Sequence, residues 1–147
     1  MITLPKKLYY AVEAVLFIAY NAGLGPISSR DIAERQGLPP RYLEQLMQRL
    51  VRAGILRGVR GPRGGYVLAR ERRRITVGDI CSVLSEEADE GSYAGTPLGH
   101  LVVKPVWDNA GQQMMEYLKQ VNLAELCEQA LTRNVKKLSE EKLDFAI

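Results

Sequence analysis

Residues 39–66 constrain the fold of this chain more than any other segment. Their first part places apolar side chains at i, i+3, i+4, i+7 and i+8, which is typical of one face of an α-helix, and Gly54 is expected to end that helix. Their second part has two runs of β-branched and aliphatic residues, 55–60 and 66–70, separated by a Gly-Pro-Arg-Gly-Gly turn. A helix followed at once by a hairpin predicts a winged helix. The apolar helix positions are Leu43, Leu46, Met47, Leu50 and Val51.

Two shorter patterns before this segment predict further helices. Thr3 is expected to cap a helix that ends near residue 20, and Ser28, with Asp31 three residues later, to cap one that ends near residue 36. Gly37 supplies a tight turn before the next helix. A helix-turn-helix with a two-stranded wing therefore predicts a mainly α fold with a small β element (α+β), and we assign residues 1–84 to this domain.

The predicted helix and hairpin carry many cationic and polar side chains. A cationic hairpin suits a narrow minor groove lined by phosphates, whereas the outer face of a helix can pair with base edges in a major groove. Along the hairpin these residues are Arg57, Arg60 and Arg63, followed by Arg70, Arg72, Arg73 and Arg74. On the outer face of the helix they are Arg41, Glu44, Gln45, Gln48, Arg49 and Arg52.

The charge distribution supports a nucleic-acid partner for one half of the chain only. Residues 1–75 contain 14 Lys and Arg against 5 Asp and Glu, whereas residues 76–147 contain 6 against 12. A basic half and an acidic half imply that the first half meets a polyanion. The alternatives are that the arginines form a solvated face, or that the winged helix binds only protein. A protein-binding module does not need an arginine-rich wing, which favours DNA.

The second half of the sequence predicts a loop and two more long helices. Thr76 with Asp79 resembles another helix start. Residues 85–103 are expected to form a flexible acidic loop, a candidate regulatory segment. Residues 104–147 are assigned to a dimerisation helix and a C-terminal helix capped by Asn122 with Glu125, and the tail beyond Leu138 is expected to fray. The inner face of the C-terminal helix is predicted to contain Leu123, Leu126, Cys127, Ala130 and Leu131.

The helix predicted over residues 104–121 has more apolar surface than one small domain is expected to bury. The alternative is that it only covers its own core. We favour self-association, because helix-turn-helix proteins commonly read two half-sites as a dimer. The predicted dimer contacts are Val106, Trp107, Ala110, Met114, Tyr117, Leu118 and Val121.

Composition argues against secretion, a membrane span and catalysis. The two cysteines are 46 residues apart and follow no recognisable secretory leader, which predicts a cytoplasmic protein. The longest nonpolar region, residues 11–22, is too short to cross a bilayer and contains Glu13. The sequence has no Gly-rich phosphate loop of the required spacing, no HExxH, no GxSxG and one histidine, so we predict that it is not an enzyme.

Two segments, DIAERQGLPPRYLEQLMQRLVRAGILRGVRGPRGGYVLAR and ITVGDICSVLS, resemble the iron–sulfur cluster regulator (IscR) family of bacterial winged-helix repressors. That family also includes the nitric-oxide sensor NsrR and the cysteine-metabolism regulator CymR. The resemblance covers roughly residues 1–131, and YLEQL followed by VRGPRGGY is its most specific part. It implies a homodimeric repressor that binds palindromic DNA, with the 104–121 helix as the main dimer contact and the last helix packed on the partner chain.

The resemblance also implies which residues contact DNA. The helix bearing Tyr42, Glu44 and Gln45 enters the major groove, and the wing arginine that matches Arg60 enters the minor groove. Arg41 and the Pro39-Pro40 start depart from the usual pattern, which implies a different sequence preference. The expected major-groove set is Pro40, Arg41, Tyr42, Glu44, Gln45 and Arg49; the wing set is Arg57, Arg60, Gly61, Arg63 and Gly64; the phosphate set is Lys6, Lys7, Ser28 and Arg52.

The chain departs from the cluster-binding members of the family. Those members hold a [2Fe–2S] or [4Fe–4S] cluster with three closely spaced cysteines before the dimer helix, since such clusters require thiolates. Residues 86–103 contain no cysteine and offer only His100, and a single imidazole on a loop is usually solvated. We therefore predict no metal site and no cofactor.

Three signals remain open at this stage. Cys81 or Cys127 is a candidate thiol switch, although both are predicted on apolar helix faces and reactive cysteines are usually exposed. A small molecule near Trp107 and Tyr93 is a second route, and a protein effector on the acidic loop is a third. The sequence does not choose among them.

Overall fold

The computed structural model describes residues 1–85 and 95–146, and it confirms a mainly helical winged helix-turn-helix fold with one two-stranded sheet. Short 3₁₀ turns lie at Ala22–Leu24 and Arg72–Arg74, and one π-helical segment lies at Gly99–Val103. The longer elements are α1 (Lys6–Tyr20), α2 (Ser29–Gln36), α3 (Pro40–Arg52), β1 (Leu56–Val59), β2 (Gly65–Leu68), α4 (Val77–Ser85), α5 (Lys104–Leu118), α6 (Leu123–Thr132) and α7 (Leu138–Ala146).

Three of the predicted helix starts are confirmed by their capping hydrogen bonds. The Ser28 hydroxyl accepts from the backbone N–H of Asp31 at 3.1 Å at the start of α2. Thr76 and Asp79 make two reciprocal bonds of 3.0 Å at the start of α4. The Asn122 carboxamide oxygen accepts a backbone N–H at 3.0 Å at the start of α6. Each cap satisfies a backbone donor that the helix itself leaves unpaired, and contributes about 1 kcal/mol.

The antiparallel pair β1–β2 forms the wing, and α3 leads into it directly. Leu56 pairs with Leu68 at the base of the hairpin, and Val59 pairs with Gly65 near its tip. Tyr66 also exchanges two backbone hydrogen bonds with Ile27, of 3.1 and 2.7 Å. The wing is therefore tied to the segment just before α2.

The first helix begins later than predicted. Thr3 does not cap it: α1 starts at Lys6, and Pro5, at φ −55° and ψ 138°, occupies the N-cap position without a side-chain cap. The proline explains the shift, because the residue before a proline is pushed into an extended conformation.

Part of the predicted loop is helical. Residues 86–94 lie outside the described part of the chain, but Gly99–Val103 forms a π-helical segment that continues into α5. The Thr96 hydroxyl accepts from the backbone N–H of Gly99 at 3.1 Å, which starts this segment. Pro105 has no backbone N–H and so cannot donate the i→i−4 hydrogen bond of an α-helix. The π-helical segment, whose turns are wider, ends two residues before it.

The C-terminal residues form a further helix, α7, where fraying was expected. The backbone N–H of Leu138 donates to the buried Asn21 carboxamide at 2.8 Å, and the Tyr20 hydroxyl donates to the Val135 carbonyl at 2.5 Å. The Arg35 guanidinium, on α2, pairs with a carboxylate of α7 at 2.8 Å. These contacts attach the C-terminal residues to α2 and to the C-terminal end of α1. The order of α7 depends on them.

One hydrophobic core joins α1–α4, the wing and the start of α6. Leu123 and Cys127 of α6 are buried in it as predicted, and Leu126 and Ala130 are half-buried. Leu131 was expected to face inward but is 54% exposed. It lies in the last turn of α6, at the margin of the core, where Ala130 packs against the core instead.

Candidate DNA interface

The first half of α3 presents an exposed polar surface. Pro40, Arg41, Tyr42 and Gln45 are all exposed, and Tyr42 retains 39% of its accessible surface. Leu43, on the opposite side of the helix, is fully buried. Because one stripe of α3 is fixed in the core, these four side chains point away from the protein and are free to meet another molecule.

Glu44 lies on the same helix but is half-buried and already has three partners. The Tyr66 hydroxyl donates to its carboxylate at 2.6 Å, and the Gln48 amide donates to it at 3.1 Å. The Ser29 hydroxyl, at the start of α2, makes a third hydrogen bond to it. Gln48 also donates to the Tyr66 hydroxyl at 3.0 Å. Glu44 therefore connects α2, α3 and the wing strand β2.

These contacts set the charge of the Glu44 group. Burial by itself would raise the pKa of the Glu44 carboxyl, but the hydrogen bonds from Ser29, Tyr66 and Gln48 together lower that pKa below its ordinary value. Burial and the neighbouring Glu44 raise the pKa of the Tyr66 phenol far above its ordinary value. At neutral pH the pair is a carboxylate and a neutral phenol, which is the arrangement that the hydrogen bond needs.

Arg49 faces a different part of the protein from the other expected major-groove residues. Its guanidinium donates to the Val83 backbone carbonyl at 2.9 Å, near the C-terminal end of α4. A cation at this end of a helix satisfies a carbonyl that has no intrahelical partner. Arg49 thus links α3 to α4.

The wing arginines are exposed, and the turn that carries them depends on glycine. Arg57, Arg60 and Arg63 are all exposed. Gly61 has φ +116°, a conformation that side chains rarely adopt, and a Cβ on Gly64 would collide with the Val59 carbonyl oxygen. These two glycines fold the turn tightly enough to hold Arg60 and Arg63 at the tip.

An open groove of about 640 Å³ lies between α3 and the wing. Its lining includes the buried Tyr66, the half-buried Glu44 and Ser28, and the exposed Arg60 and Gly61. The structure therefore brings three residues of the wing set, Arg60, Gly61 and Gly64, close to the start of α2 and to the middle of α3. Ser28 already accepts a capping hydrogen bond, and its hydroxyl hydrogen remains available to an anion.

The other expected phosphate contacts lie at helix ends. Lys6 is exposed and Lys7 half-buried at the start of α1, and Arg52 is exposed at the end of α3. The structure does not bring the two lysines into the groove lining.

The helix expected to mediate dimerisation has a long exposed apolar face. Two of the expected contact residues face their own chain instead: Leu118 is buried in the core, and Val121 is half-buried and accepts a backbone hydrogen bond from Val77. The other five are exposed, and the apolar surface continues backward into the π-helical segment. We call this surface the α5 face; it consists of Leu98, Leu101, Val102, Val103, Val106, Trp107, Ala110, Met114 and Tyr117.

Both cysteines are buried as free thiols. Burial raises the pKa of the Cys81 thiol. Burial also raises the pKa of the Cys127 thiol, and the nearby Arg72 guanidinium opposes this increase only in part. Buried thiols with raised pKa values are poor nucleophiles.

No set of three potential metal ligands comes together within residues 1–85 and 95–146. The chain as a whole contains two cysteines, and both belong to the core. Its residues therefore do not fit the three-thiolate ligand set expected for a cluster of this family. In the same described ranges no helix is long and apolar enough to cross a bilayer.

The Glu44 network was missed by sequence reasoning. Glu44 and Gln48 are four residues apart on one helix, so their contact was predictable. The contacts to Ser29 and Tyr66 depend on how α2 and the wing pack on α3, and no local pattern reports that packing.

Comparison with known proteins matches most of this chain to one family. Residues 4–129 match the model of the Rrf2 family, described as iron-dependent transcriptional regulators. The HTH-type transcriptional regulator IscR of Klebsiella pneumoniae is 35% identical over 127 residues, covering 84% of this chain and 78% of that protein. These relatives are regulators of transcription, not enzymes.

Two solved structures are also similar. IscR of T. potens matches with a TM-score of 0.74 and 37% identity, covering 95% of this chain and 96% of the other. CymR, the global cysteine regulator of B. subtilis, matches with a TM-score of 0.69 and 31% identity, covering 88% and 98%.

Proposed function

Because the chain belongs to the Rrf2 family of transcriptional regulators and is thus a DNA-binding regulator, we propose that it acts as a homodimeric repressor on a palindromic operator. A regulator of this kind works where the chromosome is, so the proposal places it in the cytoplasm. The observation that carries the proposal is an exposed polar surface on the same helix, α3, that forms one side of an open groove, with the arginine-bearing wing on the other side.

In this proposal Arg41, Tyr42 and Gln45 contact base edges in a major groove, and Pro40 sets the start of the contacting turn. Arginine and glutamine suit this role because their side chains can make paired hydrogen bonds with guanine and adenine. Arg57, Arg60 and Arg63 contact the adjacent minor groove and its phosphates. The glycine turn keeps the wing tip narrow enough to enter. Lys6, Lys7, Ser28 and Arg52 supply phosphate contacts.

Two residues of the expected major-groove set receive a different role. The carboxylate of Glu44 is occupied by Ser29, Gln48 and Tyr66, so we assign it to fixing the angle between α3 and the wing. Arg49 contacts the end of α4, so we leave it out of the DNA-contacting set. Both residues position the reading surface without touching the bases.

The α5 face supports the homodimer. Trp107 and Tyr117 are 61% and 65% exposed, and they are surrounded by further exposed aliphatic residues on the same surface. Soluble monomers rarely expose a contiguous apolar patch of this kind, and such patches mark interaction sites. A second copy of the chain with the same face gives the twofold symmetry that a palindrome requires.

We propose further that this regulator works without an iron–sulfur cluster. Its ligand set is missing from the sequence, and the two thiols that exist are buried. The same burial speaks against Cys81 or Cys127 as a fast thiol switch. A small molecule near Trp107 remains a candidate signal; Tyr93, its other expected neighbour, lies outside the described residues.

Selection of bound fragments from genomic DNA with purified protein tests this function. We expect enrichment of a palindrome by a colourless protein, with equal recovery under reductant and oxidant. A variant with Arg41, Gln45 and Arg60 replaced by alanine should enrich nothing, while Lys119→Ala with Arg133→Ala, exposed elsewhere, should behave as the parent. Failure to enrich any sequence would contradict the proposal, and visible iron–sulfur absorption would contradict its cluster-free part.

A further inference from the structure

Four arginines form a compact group just after the wing. Arg70 follows β2, and Arg72–Arg74 forms a 3₁₀ turn directly after it. All four side chains are exposed, and Glu71 is the only acidic residue within this stretch of the chain. We call this group, Arg70 with Arg72, Arg73 and Arg74, the basal arginine cluster.

The basal arginine cluster lies at the opposite end of the hairpin from the wing tip. The register places Leu56 opposite Leu68 at the base, and Val59 opposite Gly65 at the tip. A ladder of this length spans about 10 Å, because each residue of a strand advances about 3.3 Å. The hairpin therefore has two separate cationic ends, and the arginines of the tip account for only one of them.

The charges of this cluster are not neutralised within the described part of the chain. No carboxylate of residues 1–85 or 95–140 forms an ion pair with any of the four guanidinium groups. Arg70 makes one long contact, 3.5 Å, to the Arg74 carbonyl, and the Arg72 guanidinium lies near the Cys127 thiol. Arg73 and Arg74 direct their guanidinium groups to no described partner. Such a concentration of one sign of charge costs self-repulsion and fits a polyanionic partner.

We propose that the basal arginine cluster binds backbone phosphates of DNA outside the palindrome that α3 and the wing tip read. The inference rests on the proposed function and extends it to the DNA flanks. Guanidinium groups match phosphates in geometry and bind them with paired hydrogen bonds. The hairpin holds the cluster about 10 Å from the wing tip, so a phosphate that contacts the tip cannot also contact the cluster. The two ends of the hairpin therefore meet different stretches of backbone.

The test compares two duplexes that carry the recovered operator. One is trimmed to the palindrome, and the other has roughly ten further base pairs of arbitrary sequence on each side, about one helical turn. The test variant is Arg73→Gln with Arg74→Gln, which leaves the internal contacts of the Arg70 and Arg72 side chains in place. The matched control is Lys119→Gln with Arg133→Gln, which removes the same charge from exposed sites away from the hairpin.

We expect the parent and the control to bind the flanked duplex at least about tenfold more tightly than the trimmed one at ~0.1 M salt, because each phosphate contact releases roughly 0.9 of a counterion. The test variant should lose this gain and should bind the trimmed duplex as the parent does. Its salt slope on the flanked duplex should be shallower by about one for each arginine–phosphate pair that the substitutions remove.

Three results would overturn the inference. A parent that gains nothing from the flanks, a test variant that keeps the full gain, or a test variant that weakens equally on both duplexes would each exclude a separate flank contact. A further outcome is that the flanks do not increase the affinity of the parent, while immobilised poly-glutamate retains the parent but not the Arg73→Gln with Arg74→Gln variant. In that case the cluster binds acidic protein and not DNA. If the parent and both variants still bind the trimmed duplex specifically, the proposed function stands even when the flank contact is excluded. Loss of specific binding to the trimmed duplex by the parent would instead contradict the proposed function.

Discussion

The Tyr66 hydroxyl lies 2.6 Å from the Glu44 carboxylate and joins the wing to the helix that is proposed to read DNA. Tyr66 also pairs through its backbone with Ile27, just before α2. The side chain of Tyr66 therefore connects the wing to α3, and its backbone connects the wing to the segment before α2. The orientation of α3 relative to the wing depends on a charged group that is itself partly buried.

Replacement of Tyr66 by phenylalanine should reduce the free energy of unfolding by about 1 kcal/mol, because it removes one hydrogen bond to a partly buried carboxylate. Operator affinity should also fall, since the angle between α3 and the wing is less strictly held. Chemical unfolding with titration of operator DNA measures both. Tyr42→Phe is the matched control for stability, because that tyrosine is exposed, on the helix α3 that carries the Glu44 partner of Tyr66. Equal stability of Tyr66→Phe and the parent would exclude the bracing role.

The depressed pKa of Glu44 predicts a specific acid dependence. A carboxyl whose pKa is lower in the folded state stabilises the fold above its unfolded pKa, and this stabilisation is lost as pH falls through the folded pKa. The Glu44→Gln variant should therefore be less stable than the parent at neutral pH, and the difference should shrink as the solution is acidified below the ordinary carboxyl range. Unfolding curves at a series of pH values measure it. A difference that does not change with pH would show that the charge of Glu44 does not matter.

Gln45→Ala should relax base preference at one position of each half-site by ~1–3 kcal/mol, which is typical of removing one good base contact. Affinity for nonspecific DNA should remain at the parental value, because no phosphate contact is removed. Competition among operators that differ at single positions measures the preference. Gln129→Ala, exposed on α6, is the control. Unchanged discrimination at every position would remove Gln45 from the reading set.

Trp107→Glu should convert the dimer to a monomer, because it places a charge in the middle of the α5 face. Analytical ultracentrifugation of the parent and the variant gives the two masses. Leu24→Glu is a matched control, since Leu24 is 44% exposed in the 3₁₀ turn after α1 and lies outside both the α5 face and α6. A parent that sediments as a monomer at micromolar concentration would contradict the dimer itself.

Much of the fold was predictable because its signals are local. The apolar stripe of α3, the caps at Ser28 and Thr76, and the glycine turn of the wing each depend on residues within a few positions of one another. The order of the C-terminal helix was not predictable. Its position depends on contacts to Asn21 and Arg35, more than 100 residues away in the chain.

In the candidate site, too, the features that depend on local sequence were predictable and those that depend on long-range packing were not. Exposure of Arg41, Tyr42 and Gln45 follows from helical periodicity, since Leu43 and Leu46 must face the core. The Ser29 and Tyr66 partners of Glu44 and the Val83 partner of Arg49 lie on other elements, so helical spacing alone predicted that both residues belong to the reading surface. For the same reason Leu118 was assigned to the dimer contact although it packs into its own core.

The ratio of specific to nonspecific affinity tests the central claim most directly. Purified protein would be titrated, at physiological salt, with a labelled duplex of the selected operator and with a duplex of the same composition in shuffled order. We predict an operator affinity about 10³-fold tighter or more, the usual range for specific regulators, and a fall toward the shuffled value in Arg60→Ala. Equal affinities for the two duplexes would show that the chain binds DNA only through its charge, and would contradict a sequence-specific regulator.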